Sequence, residues 1–314
     1  MSGQFIQIQS NAVALSKERG FLILENWKDQ NEEPLRIPLD RVEGVSVEAT
    51  GVTLSKTIIT ELATRGIPLI LNDQKHLPRA ALSGFNSHHL HAEMINLQAA
   101  LKLPAQKRLW KKIIQAKIEN QNFVLSRLKG NRSLEFLIPQ VKSGDSDNRE
   151  GVAARIYWSK LLGETFVRDQ NEGSVNSLLN FGYSILRSTM AKFLALSGLS
   201  PALGIYHRNA RNPFRLVDDL MEPFRPAVDL LVHRMVENGH RELEPRLKSA
   251  FIRLWLEPIF SNSPWGRCAN SALEATSRSY AKYLKDPAKP FCPCPAGFFP
   301  ELFSIYDMFC PKNE

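Results

Sequence analysis

The sequence predicts an α+β fold, with a small N-terminal β-rich domain followed by a larger all-α domain. Three observations carry this. Residues 5–55 are short Val/Ile/Leu runs separated by Gly, Pro, Asp and Asn, the pattern of strands and turns. From residue 92 to 285 apolar residues recur at i, i+3 and i+4, the helical period. Between these regions the composition shifts to Pro, Gly, Ser and His, as in a connector.

The elements follow in order. "FIQIQ" (5–9) alternates as a half-buried strand does, and "NAVALSKERGFLILEN" (11–26) gives two short β runs around a turn. "EPLRIPLDRVEGVSVEATGVTLS" (33–55) adds further β runs with Pro, Asp and Gly between them. "KTIITELATRG" (56–66) is one amphipathic helix stopped by Gly66, and "IPLILND" (67–73) is a short buried strand. This sets the N-terminal domain at 1–73 and the linker at 74–91. The helical domain spans 92–285, with a break near Pro104 and helices at 149–164, 174–197, 226–238, 244–261 and 268–285. The segment 286–314 has six prolines and reads as an irregular tail.

Composition narrows the function. With 314 residues, 43% hydrophobic and 23% charged, the chain is an ordinary globular protein of one or two domains. Lys+Arg outnumber Asp+Glu by 40 to 32, giving a net charge of +8, and the pI is near 9.3. That balance suits nucleic acid or another anionic partner. The N-terminus has no signal-peptide pattern, and no apolar run approaches the roughly 20 residues of a membrane span. Cys268, Cys292, Cys294 and Cys310 are too few and too unevenly placed for a disulfide framework. These features point to a reducing, cytoplasmic setting with no membrane association.

One stretch stands out, "GIYHRNARNPFRLVDDLMEPFRP" (204–226). It sets His207, Asp218, Asp219 and Glu222 among four arginines. On a helix Asp218 and Glu222 are i,i+4, and Asp219 and Glu222 are i,i+3, so both pairs share a face. Carboxylates packed this way repel unless they are solvated or meet a cation. Arg215, Arg225 or a divalent metal would serve, and Pro223 and Pro226 limit the helix and aim Glu222. The bland alternative is a solvated loop and a charged helix face.

Other candidates carry their own ordinary explanations. Glu150 follows "SDN", and with Asp147 as the N-cap it would occupy the N3 position of a capping box. "HHLHAE" (88–93) pairs His89 with Glu93 and His88 with His91 at helical spacing. It lacks an HExxH pattern and reads as a solvated junction, with metal binding a minority alternative. Lys107, Arg108, Lys111 and Lys112 form a basic helix face. Together with Arg208, Arg211 and Arg215 they suit phosphate contacts, as do Asn209 and Asn212. In "VNSLLNFGYSILRSTMAKFLALSGL" (175–199) Gly182 implies close approach by a neighbour, and Asn176, Asn180 and Tyr183 share one side.

The combination "REGVAARIYW", "NSLLNFGYSILRS" and "GIYHRNARNPFRLVDDLMEPFRP" resembles the CRISPR-associated integrase and endonuclease of spacer acquisition, the Cas1 family, in its type II form. The resemblance spans nearly the whole chain. It implies a divalent metal, Mg²⁺ or Mn²⁺, held by Glu150, His207 and Glu222. It places Asp219 and Arg225 beside the metal, Tyr183 near the reacting DNA, and Arg208 among the DNA-facing basic residues. The implied reaction joins the 3′-hydroxyl of a captured double-stranded DNA fragment to a phosphodiester of the CRISPR repeat. The implied partners are a second copy of the chain, the small adaptation protein Cas2 and other type II adaptation proteins. The N-terminal domain would serve dimerisation and partner docking, in antiviral defence. Two alternatives stay open: a basic DNA-binding scaffold without chemistry, and a plain metal-dependent nuclease.

Overall fold

The computed structural model describes residues 4–26, 28–29, 33–67, 69–72, 78–82, 91–169, 174–256, 264, 266 and 268–305. The chain divides into two compact units, Met1–Met94 with Ala195–Leu199, and Ile95–Leu194 with Ser200–Glu314.

The first unit holds two four-stranded sheets. One has the order β1 (Gln4–Ile8), β5 (Val42–Val47), β7 (Leu69–Asn72), β8 (Pro78–Leu82). Its first three strands are parallel, and β8 returns antiparallel to β7. The other has the order β4 (Leu35–Pro38), β3 (Phe21–Asn26), β2 (Val13–Glu18), β6 (Val52–Leu54). Strands β2 and β3 pair from Val13↔Asn26 to Glu18↔Phe21 across a two-residue turn at Arg19 and Gly20. Both turn residues have positive φ, 43° and 87°, matching the twist of a tight hairpin. Helix α1 (Lys56–Thr64) starts at Ser55, whose hydroxyl accepts from the Ile58 amide at 3.3 Å. Leu15 and Leu22 of one sheet, Val45 and Leu69 of the other, and Ile58 and Leu62 of α1 share one buried core. Leu22 and Ile23 are both buried, as are Leu69 and Ile70, so these strands read as short continuous apolar runs.

Residues 78–82 were expected to be linker. They form β8 instead, because β7 offers an unpaired edge whose backbone groups Ala80, Ala81 and Leu82 satisfy. His88 and His89 lie outside the described residues. His91 opens α2 (His91–Ala99), and its Nδ1 meets the Gly198 carbonyl at 3.0 Å.

The second unit is helical. Helix α3 (Leu103–Lys129) begins just before Pro104, which occupies a first-turn position where no amide partner is needed. It ends at Gly130 in the left-handed conformation, whose amide reaches back to the last turn. Trp110, Ile113, Ile114, Ile118, Val124 and Leu125 line its buried face. The unit continues with α4 (Arg149–Leu162), α5 (Ser174–Leu196), α6 (Arg215–Met221), α7 (Arg225–Glu237), α8 (Pro245–Leu256), α9 (Ala269–Lys285) and α10 (Phe298–Ile305). Helix α10 falls inside the segment expected to be an irregular tail. Phe298 and Leu302, fully buried, and Phe299 supply the apolar face that folds it. Cys268, Cys292 and Cys294 form no disulfide, and Cys310 lies outside the described residues.

Gly182 lies in the middle of α5. A Cβ there would stand 2.4 Å from Val228 and 2.6 Å from Phe251, so only glycine admits these side chains of α7 and α8. The expected close approach is therefore by packed side chains. Among the described residues no helix is long and apolar enough to cross a membrane.

Candidate functional site

The prolines of 215–237 do not simply stop a helix. Helix α6 ends at Met221, Glu222–Phe224 forms a 3₁₀ turn, and α7 begins at Arg225. Pro223 and Pro226 sit in the first turns of the latter two, where a missing amide costs nothing. Glu222 is thereby placed at a joint between helices. Asn120 of α3 fixes the joint by donating to the Pro223 carbonyl at 2.7 Å.

Glu150 is not the capping residue its sequence context implied. Asn148, in the left-handed conformation, is the N-cap of α4, and its side chain accepts from the Gly151 amide at 3.1 Å. Asp145 accepts from the amides of Arg149 and Glu150 at 2.9 and 3.1 Å. Asp147 instead pairs with Lys142 at 2.7 Å. With the helix start satisfied by others, the Glu150 carboxylate is released to face α3.

There it meets Lys117. The Lys117 ammonium donates to Glu150 Oε1 and to Glu222 Oε2, both at 2.6 Å. The Lys117 side chain is only 11% exposed and that of Glu222 only 6%. Arg225 Nε lies 2.8 Å from the other oxygen of Glu222. Burial raises the cost of charging Glu222, but Arg225 and Lys117 outweigh it and hold its pKa well below the usual carboxylate range. Burial also works against the Lys117 charge. Glu222 and Glu150 overcome it and lift its pKa above the ordinary lysine value.

His207 is set by Asp219. The loop before α6 wraps the fully buried Asp219 carboxylate, which accepts from the amides of Ile205, Tyr206 and His207 at 2.5, 2.9 and 3.2 Å. It also accepts from His207 Nδ1 at 2.6 Å, which raises the His207 pKa above its usual value. In the neutral ring Nδ1 therefore carries the proton, and the Nε2 lone pair is the one left for a metal. Gly204 makes the wrap possible, since a Cβ would lie 2.8 Å from Arg215 and 2.9 Å from the His207 carbonyl oxygen.

Asp218 faces elsewhere. Arg187 grips it through Nε at 2.6 Å and Nη2 at 2.7 Å, and Asn212 donates to it at 2.6 Å. Its partner is thus Arg187 rather than Arg215. Asn212, read as a phosphate donor, is occupied inside the protein. Tyr183 is buried and donates to Asp229 of α7, while the Arg225 guanidinium lies over its ring at 4.6 Å. It props Arg225 from below rather than facing solvent. Burial pushes the Asp229 carboxyl up to about 7, against the hydrogen bond from Tyr183. Arg168 joins Asn176 and Asn180 at 3.0 and 2.7 Å, which explains their shared side on α5.

Arg208 and Arg211 are exposed, as are Lys107, Arg108 and Lys112. Arg208 reaches Gln106 at 3.2 Å. Tyr206, 46% exposed, stacks flat on the buried Trp110 with centroids 4.2 Å apart. His207 meets Trp110 edge-on at 5.8 Å.

Lys117, Arg187 and the Trp110–Tyr206 stack were not singled out from the sequence. Lys117 had a signal: it interrupts the apolar stripe of Trp110, Ile113, Ile114 and Val124 at helical spacing. A lysine on such a stripe needs buried anions. Among the described residues no three His, Cys, Asp or Glu side chains gather closely enough to hold a metal as they stand. The donor chemistry nonetheless fits Mg²⁺ or Mn²⁺. Two carboxylates from separate elements already converge on one cation, and an imidazole with its Nδ1 fixed stands in the same unit.

The family model described as CRISPR associated protein Cas1 matches residues 6–248. The chain is 36% identical over 249 residues to the CRISPR-associated endonuclease Cas1 of Neisseria meningitidis serogroup C, covering 77% of this chain and 80% of that one. A solved Cas1 protein from Thermotoga maritima superposes with a TM-score of 0.74 at 19% identity, over 90% of this chain and 97% of that one. A casposase bound to integration product gives 0.72 at 19% identity, over 100% and 95%. The last two show a shared fold.

Proposed function

The chain belongs to the CRISPR-associated Cas1 family, and from that premise we propose that it is a divalent-metal-dependent DNA integrase and endonuclease of spacer acquisition. In this reading Glu150, His207 and Glu222 hold Mg²⁺ or Mn²⁺. The observation that carries it is the convergence of Glu150 and Glu222 on one cationic point from separate elements. The names of the relatives, endonucleases of the same family at 36% and 31% identity, point the same way.

When bound, the ion supplies Lewis-acid polarisation of the scissile phosphate and a template for the attacking oxygen. The protein's own residues do the positioning. Asp219 keeps the Nδ1 proton on His207 and fixes the ring. Arg225, supported by Tyr183, holds Glu222 in place. Arg208, Arg211 and the basic face of α3 meet DNA phosphates, and Tyr206 offers an aromatic face to an unpaired base. The 3′-hydroxyl of the captured fragment attacks a repeat phosphodiester, one ester replaces another, and the displaced strand leaves with a 3′-hydroxyl. No side-chain nucleophile is needed. With water in place of that hydroxyl the same centre cuts DNA. A second copy of the chain and Cas2 complete the machinery in this reading.

The test is a gel assay with a 3′-hydroxyl duplex, a repeat-bearing plasmid and Mn²⁺, with and without chelator. A covalent product lost on chelation is expected. Metal-independent binding without product would show a scaffold, and cutting regardless of repeat sequence would show a plain nuclease.

A further inference from the structure

We propose that Lys117 is an internal counter-ion that competes with a divalent cation for Glu150 and Glu222. The ammonium and the metal would then occupy the two carboxylates in turn and never together. This inference rests on the metal-centre reading above.

The geometry forces the exclusion. The Lys117 nitrogen is 2.6 Å from one oxygen of each carboxylate. A divalent ion sharing those oxygens binds them at about 2.0–2.3 Å. Two cations this close to the same oxygens would lie within a few ångströms of each other, in a region largely shielded from water, where like charges repel strongly. Lys117 therefore has to leave for a metal to enter.

Lys117 has the means to leave. Its four-carbon stem is flexible, and a single ammonium carries no fixed fork geometry to break. Arg225, by contrast, contacts only Glu222 Oε1 of the two carboxylates, leaving the oxygen that Lys117 uses. Arg225 can thus stay in place whichever cation sits between the carboxylates. The two basic residues have separable roles: Arg225 fixes Glu222, and Lys117 holds the position that a metal takes over.

The arrangement also has a structural purpose. Two carboxylates facing one point in a half-buried site destabilise the fold unless a cation lies between them. Lys117 supplies that cation without one being recruited from solution. The cost is weaker metal binding, because every metal must displace a paired ammonium.

The experiment uses the full chain, stripped with chelator, at one fixed pH. Mn²⁺ binding is measured by calorimetry, and thermal melts are run with and without Mn²⁺. Lys117→Met removes the charge and keeps the stem. It should bind Mn²⁺ about tenfold more tightly than the wild type. It should also melt lower without Mn²⁺ and gain more on adding it. Lys117→Arg keeps the charge and should not tighten binding. Should Lys117→Met fail to fold, Lys117→Met/Glu150→Gln removes one carboxylate with the lysine and should recover the melting temperature. If it does not, Lys117 acts through packing and the proposal is wrong. Unchanged or weaker Mn²⁺ binding in folded Lys117→Met, or tightening in Lys117→Arg, also overturns it. A wild-type chain that binds no Mn²⁺ sinks the metal centre and this inference together. Wild-type binding with unchanged affinity in Lys117→Met sinks this inference alone.

Discussion

Both units carry surface ion pairs, but the helical unit also buries Glu222 and Asp219 among charged partners, while the described pairs of the N-terminal unit all keep a fifth or more of each side chain exposed. Arg36 and Glu18 pair at 2.8 Å with about half of each side chain exposed, 49% and 52%. In the helical unit Arg187 and Asp218 pair at 2.6 Å with 21% and 16% exposed, and Asp219 is fully buried. Surface pairs contribute little and are tolerated anywhere. Buried pairs lose hydration and are seldom kept for stability alone, and their concentration around Glu150, His207 and Glu222 is what the proposed centre rests on.

The contrast can be broken or sharpened by substitution. Arg187→Ala leaves Asp218 charged and nearly enclosed, and should cost about 3 kcal/mol of stability in denaturant unfolding. A loss under about 1 kcal/mol would mean that this pair behaves like a surface one. Tyr206→Ala should weaken binding to a duplex with an unpaired 3′ end by about tenfold, while Tyr206→Phe keeps it. Equal binding by both variants would remove Tyr206 from the DNA surface.

Asp229 gives a pH signature. Its carboxyl titrates near 7 in the folded protein against an ordinary 3.8. The folded state therefore keeps the proton to higher pH than the unfolded chain does. The stability this confers is present below about pH 4 and is lost as pH rises through about 7. Asp229→Asn should flatten that part of the melting-temperature profile; an unchanged slope would assign it to other groups. The smallest effect expected is from Arg36→Ala, less than about 1 kcal/mol.

Much of the fold was legible because periodicity is local. Two short apolar runs around a turn over 11–26 gave the β2–β3 hairpin, and the apolar stripe after Pro104 gave α3. Strand β8 was hidden because "PRAAL" lacks β-branched residues and forms only by pairing with β7. Helix α10 was hidden by surrounding prolines, although Phe298, Phe299 and Leu302 bury its face. The site was half legible. His207 and Glu222 share one motif, but nothing local says that Glu150 turns inward. That depends on Asn148 and Asp145 satisfying the start of α4. The partners Lys117 and Arg187 come from α3 and α5, far along the chain, and only tertiary packing brings them in.

The central claim is that Glu150, His207 and Glu222 act as one metal centre for DNA strand transfer. Its most direct test is Mn²⁺-dependent joining of a 3′-hydroxyl duplex to a repeat by Glu150→Ala, His207→Ala and Glu222→Ala, each checked by thermal melting. The account predicts that all three lose strand transfer by at least about a hundredfold while remaining folded. Full joining activity in any one of them would contradict it.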